Sequence, residues 1–149
     1  MSEYVKIDDP FTVSVSRKYD ASPDLVFDAW INIDKVGKWL FSAPDGVVTQ
    51  VEVDAKVGGG FIIADQRGDV LAKHIGSYWE IDPPHKLVFS FVYEADTNSL
   101  PTLVTIDIKE IDQGCLLTLT HEMMGEYKEY EAEAIEGWNG VLETLEKVL

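Results

Sequence analysis

The stretch IGSYWEIDPPHKLVFSF, from Ile75 to Phe91, sets four aromatic side chains, Tyr78, Trp79, Phe89 and Phe91, around a Pro83-Pro84 turn. Each flank alternates with a period of two, the mark of a half-buried strand, and Asp82-Pro83-Pro84 between them is turn chemistry. VLAKHIGSYWEID and KLVFSFVYE therefore read as the two arms of an antiparallel hairpin. Glu80 belongs in water, so strict alternation turns Trp79 and Ile81 inward and leaves His74, Tyr78 and Glu80 on the opposite face. Across the turn, Leu87, Phe89 and Phe91 form one face, with Val88, Ser90 and Val92 on the other.

The same period extends outward in both directions. Downstream, LVTIDIKEI and CLLTLTHEM flank Asp112-Gln113-Gly114 as a second hairpin. Upstream, VVTQVEV and GFIIADQRG lie either side of Gly58-Gly59-Gly60, and FTVSVSRKY supplies a first strand from Phe11. Between that strand and the next, ASPDLVFDAW carries a helix start: Ser22 as N-cap, Pro23 at the first helical position, Asp24 in the first turn. Asn32 and Asp34 offer a second cap, giving two short helices that end near Trp39 and Leu40. From Tyr127 to Leu149 the period becomes helical, with Ala134, Trp138, Val141, Leu145 and Val148 on one stripe. Such a helix of about 23 residues would run roughly 34 Å and cross a whole sheet. No repeat or linker divides the chain, so residues 1–149 are expected to form a single α+β domain with about seven antiparallel strands.

Twelve basic residues against 27 acidic ones give a net charge of −15, with no basic cluster to offset it. Phosphate backbones and anionic lipid surfaces repel such a chain, which sets nucleic acid and anionic membranes aside as partners. Cys115 is the sole cysteine, a usage that suits a reducing, cytoplasmic setting. The opening MSEYVKIDDP lacks the apolar core of a signal peptide, and no apolar run approaches the ~20 residues of a membrane span.

Two residues stand out as candidates for function. In CLLTLTHE, Cys115, Leu117, Leu119 and His121 share one face, so His121 closes a buried row. It is either a polar anchor for a ligand or a histidine satisfied by a neighbour, and internal satisfaction is the rule for buried polar groups. Trp138 lies between Gly137 and Gly140 within the helix, where each glycine costs ~1 kcal/mol relative to alanine. Close approach of helix to sheet explains those glycines; room for a ligand beside the indole is the alternative. The glycine triplet lacks the Lys-Ser/Thr of a phosphate loop, and His74, His85 and His121 have no metal-ligand spacing. No catalytic set, metal site or cofactor is called for.

Taken in order, ASPDLVFDAW, IGSYWEIDPPHKLVFSF, VTIDI with LTLTHE, and GWNGVLETL resemble the START-like (SRPBCC, helix-grip) superfamily, and within it the activator of heat-shock-protein-90 ATPase homologue-like family. The resemblance spans about Thr12 to Leu149. It implies a curved antiparallel sheet gripping the C-terminal helix, often around a cavity. It also implies binding of a small apolar or amphipathic molecule, lipid-like or polyketide-like. A chaperone co-factor role is second, a cyclase-like enzyme third, and a homodimer contact is compatible with the family. An enclosed pocket of about 300 Å³ or more is expected between helix and sheet. Its walls would include Trp79, Phe89, Phe91, His121 and Trp138. Trp39, Phe61 and Leu142 complete the expected lining.

Overall fold

In the computed structural model, which describes residues 9–41, 45–93 and 102–149, seven strands build one antiparallel sheet in the order β1-β7-β6-β5-β4-β3-β2. The strands are β1 (Phe11–Tyr19), β2 (Val47–Val53), β3 (Gly60–Arg67), β4 (Val70–Asp82), β5 (Lys86–Tyr93), β6 (Thr102–Ile111) and β7 (Gly114–Met123). Helices α1 (Pro23–Ile31) and α2 (Ile33–Val36) separate β1 from β2, and α3 (Glu131–Glu146) ends the fold. Because β1 and β2 hold opposite edges, the α1–α2 connection must traverse the sheet. It does so with α1 against β6 and α2 against β2.

The caps behave as their chemistry requires. Ser22 Oγ accepts from the Leu25 amide at 3.3 Å, and Asn32 Oδ1 accepts from the Asp34 amide at 2.9 Å. The turn between β6 and β7 uses left-handed backbone at Gln113 (φ 65°) and Gly114 (φ 143°). At Gly114 a side chain would also strike the Tyr19 carbonyl.

α3 has 16 residues, about 24 Å, and not the length its sequence period suggested. The preceding Gly125–Tyr130 segment is a 3₁₀ helix with no fully buried residue, and of its side chains Tyr127 packs partly against the core. Within α3, Trp138, Leu142 and Leu145 are buried against the sheet. Tyr19 on β1 donates to the Leu142 carbonyl at 2.7 Å, pinning the middle of the helix to the sheet edge. No described helix is long and apolar enough to cross a membrane.

One β-bulge changes the reading of the opening hairpin. Between β4 and β5 the register runs Gly76↔Phe91, Ser77↔Ser90, Tyr78↔Phe89, and then slips so that Glu80 faces Val88 and Ile81 faces Leu87. Trp79 is the extra residue. Tyr78, 3% exposed, is therefore the ring turned into the core, on the same face as His74 and Gly76. Trp79 stays half-buried on the outer face, where its indole N–H donates to Ser90 Oγ at 2.9 Å. The inward placement of Trp79, and the outward placement of His74 and Tyr78, are both overturned by this one inserted residue.

Candidate functional site

The inner face of the sheet is mostly solid. Trp30 and Trp39 meet edge to face at 4.6 Å, and the Trp39 indole donates to the Ala29 carbonyl at 2.9 Å. Trp39, Phe89 and Leu142 are each at most 1% exposed and belong to this packed core. Phe61 is also core: its ring fills the space over Gly76, where a methyl group would collide with it. None of these four borders the cleft that opens under α3, although Phe61 borders a separate hollow beside Glu52 and Asp54, and Trp79 is on the other face. The packing there follows the rule for interiors, which leave few voids larger than a water.

Among the described residues, packing is incomplete where α3 faces His74 on β4, Phe91 on β5 and His121 on β7. There a cleft of about 260 Å³ is lined by Phe41, His74, Phe91, His121, Ala134, Gly137, Trp138 and Val141. It is open to solvent and smaller than the enclosed pocket of about 300 Å³ or more that was expected. Phe91, His121 and Trp138 are its members foreseen from sequence. Larger hollows among the described residues include one of about 360 Å³ beside Asp20 and Glu110 and one of about 320 Å³ beside Glu52 and Asp54. Carboxylates border both, and the second also has Val53, Phe61, Ile62 and Ile75 in its walls; the cleft under α3 has five rings, its two imidazoles included, in addition to apolar aliphatics and no carboxylate, as suits a small-molecule site.

Gly137 contributes by what it lacks. A Cβ built there, or on Gly140, meets nothing within 4 Å. Close approach to the sheet is therefore not why these glycines are present. Gly137 leaves the cleft open beside the Trp138 indole.

The two cleft histidines differ in how they are satisfied. The Trp138 indole N–H donates to His121 Nδ1 at 2.8 Å, and His121 Nε2 meets Thr102 Oγ1 at 2.8 Å. An indole only donates, so Nδ1 must be the acceptor and the imidazole proton rests on Nε2, donating to Thr102. Burial holds the His121 pKa down to about 4, so this tautomer is the neutral one at pH 7. Both ring nitrogens are thus engaged within the protein, the outcome that ordinary satisfaction of buried groups demands.

His74 is the opposite case. Its Nδ1 is buried and has no hydrogen-bond partner. Its pKa is pushed down to about 4, first by burial and then by the positive charge of Arg67, with Asp65 opposing. Phe41 stacks flat on the imidazole, centroids 4.3 Å apart and planes within 5°. Phe41 sits after α2 with φ 57°, a left-handed conformation that costs a bulky residue on the order of 1–2 kcal/mol. What holds it there is a short relay. Asp65, whose side chain is wholly buried, receives the Arg67 Nε–H at 3.1 and 2.9 Å on its two oxygens, and Arg67 then donates to the Phe41 carbonyl at 2.9 Å. From that position Phe41 also faces Phe91 at 4.8 Å and Trp138 at 6.0 Å.

Sequence reasoning missed both Phe41 and His74. His74 was hidden by the bulge, and no periodic pattern marks Phe41, which lies in a connection. Among the described residues no group of three or more His, Cys, Asp or Glu side chains is placed to hold a metal ion.

A seven-stranded antiparallel sheet holding a C-terminal helix over an apolar cleft defines a helix-grip protein. The family model described as Activator of Hsp90 ATPase homolog 1-like protein matches residues 20–149, and the chain belongs to that family. Solved structures share the fold. A protein from Chromobacterium violaceum superposes with a TM-score of 0.79 at 21% identity, covering 91% of this chain and 94% of that one. One from Rhizobium loti gives 0.78 at 25% identity, covering 94% and 97%. The AHSA1-like protein from Aeromonas hydrophila gives 0.75 at 21% identity, covering 93% and 91%. Among curated proteins, none matches this chain.

Proposed function

We propose that the protein binds a small apolar or amphipathic molecule in the cleft between α3 and the sheet. The observation that supports this reading is the unfilled, ring-walled space at Phe41, Phe91 and Trp138, kept open by Gly137. A site of this kind takes its affinity from apolar burial, at about 25 cal/mol per Å², and its selectivity from shape and a few polar groups. An apolar cavity of ~150 Å³ admits benzene, so the cleft at about 260 Å³ suits a body of two or three fused rings or a short branched chain. A reducing, cytoplasmic setting accords with the single buried Cys115.

The test uses the neutral dye 1-aminoanthracene and two helix variants. Gly137→Leu puts a side chain on the cleft wall, while Gly140→Leu adds the same side chain outside it. Both remove a helical glycine, so neither weakens the helix. Dye binding should disappear in Gly137→Leu and persist in Gly140→Leu. Equal binding by the two variants would exclude the cleft.

A further inference from the structure

The cleft as it stands offers a ligand almost no hydrogen bond. His121 already spends Nδ1 on Trp138 and Nε2 on Thr102. Among the lining residues that leaves His74, whose Nδ1 is without a partner. A buried polar atom left unsatisfied in a native fold calls for an explanation, and a ligand that supplies the missing bond is one. Yet Nδ1 has no exposed surface, so nothing in the open cleft reaches it while the present rings stay in place.

Three aromatic side chains lie around the imidazole: Phe41 at 4.3 Å, Tyr93 at 5.1 Å and Phe91 at 6.1 Å. Tyr93 and Phe91 are fixed by the β5 ladder, opposite His74 and Gly76. Phe41 is not in a strand. Among the described contacts, the hydrogen bond from Arg67 to its carbonyl holds it in a left-handed backbone conformation, so of the three it is the ring that can move without breaking a strand ladder.

We propose that His74 is the hydrogen-bonding anchor of the ligand, that Phe41 is the side chain which turns aside to admit it, and that the ligand is an uncharged hydroxylated ring compound. The inference rests on the cleft being the binding site. A hydroxyl fits because it both donates and accepts, and so pairs with Nδ1 in either tautomer of the neutral imidazole. No charge is expected on the ligand, because none of the lining side chains is an ion pair partner and both imidazoles are neutral at pH 7. Arg67, whose charge acts on His74, is committed to Asp65 and to the Phe41 carbonyl. The relay from Asp65 through Arg67 makes these two positioning residues for the Phe41 wall.

Naphthalene and 2-naphthol differ by the one group in question. By titration calorimetry, 2-naphthol should bind the wild-type protein about tenfold more tightly than naphthalene, the worth of one hydrogen bond to an otherwise orphaned atom. In His74→Phe the ratio should fall to about one or below, since an unpaired hydroxyl only adds desolvation cost. The ¹⁵N resonance of His74 Nδ1 in the wild type should move on adding 2-naphthol, while that of His121 stays, which checks the contact without any substitution. In stopped flow, the wild-type association rate should level off with 2-naphthol concentration because opening limits it; in Phe41→Ala it should rise linearly. If naphthalene binds but the hydroxyl brings no advantage, or the advantage survives in His74→Phe, the anchor is wrong and the cleft reading stands. A linear wild-type rate overturns the gate. If neither compound binds, the cleft reading falls and takes this inference with it.

Discussion

Acidification from pH 7.5 to 5.5 should destabilise this protein through its two cleft histidines. Each has a folded-state pKa of about 4, against ~6.5 in the unfolded chain. Between those values the unfolded chain takes up protons that the folded one refuses. The stability each ring contributes is therefore complete above ~6.5 and is lost as pH falls toward 4. For a shift of that size, the move from pH 7.5 to 5.5 costs about 1.4 kcal/mol per ring, or about 3 kcal/mol for the pair. Asp28, held below its usual pKa by hydrogen bonding to Lys35, loses its contribution at lower pH still. Urea denaturation at the two pH values and fixed ionic strength measures the loss directly. His74→Phe should show about half of it, and the difference between the two proteins isolates His74 from every other titrating group. An identical pH dependence in the variant and the wild type would refute the reasoning, as would an imidazole resonance from either cleft histidine titrating near 6.5.

Two further substitutions probe the packing around the cleft. Trp138→Phe keeps an aromatic ring but removes the N–H that His121 Nδ1 accepts, and should cost about 1–3 kcal/mol in urea denaturation; an unchanged midpoint would mean that this bond contributes nothing. Gly76→Ala drives a methyl group into the Phe61 ring and to 2.7 Å from the Ser90 carbonyl oxygen. A loss of about 1–3 kcal/mol from overpacking is expected, and a variant as stable as the wild type would show that Phe61 has room to move.

Much of the fold was legible because its signals are local. The hairpin turns, the Ser22 and Asn32 caps and the alternation through Cys115, Leu117, Leu119 and His121 each depend on a few neighbouring residues, and each appears in the structure. The candidate site was legible in part. Phe91, His121 and Trp138 were placed on the correct faces and do line the cleft, but Trp39, Phe61, Phe89 and Leu142 fill the core instead. Apolar content marks a residue as inward without saying whether its neighbours will close around it. The length of α3 was overstated for a similar reason. The helix was expected from Tyr127, but Tyr127 is only partly buried against the core and no residue of Gly125–Tyr130 is fully buried.

By itself, then, the sequence determined the order and type of the elements, their caps and turns, and the inward row on β7. Covalent geometry sets side-chain direction along an uninterrupted strand or helix, and that direction can be read residue by residue. Tertiary structure alone decided that Trp79 is extra to the ladder, and with it that Tyr78 and His74 turn inward. It also decided that Phe41 reaches across to cover His74. A bulge forms where two strands of fixed register must both bury their large side chains, and β4 meets that condition only once β5 lies beside it. Phe41 is held in a left-handed backbone conformation by Arg67, which is 26 residues further along the chain, is anchored on Asp65 and donates to the Phe41 carbonyl. Both outcomes are set by contacts between residues distant along the chain, which no local pattern of apolar and polar residues encodes.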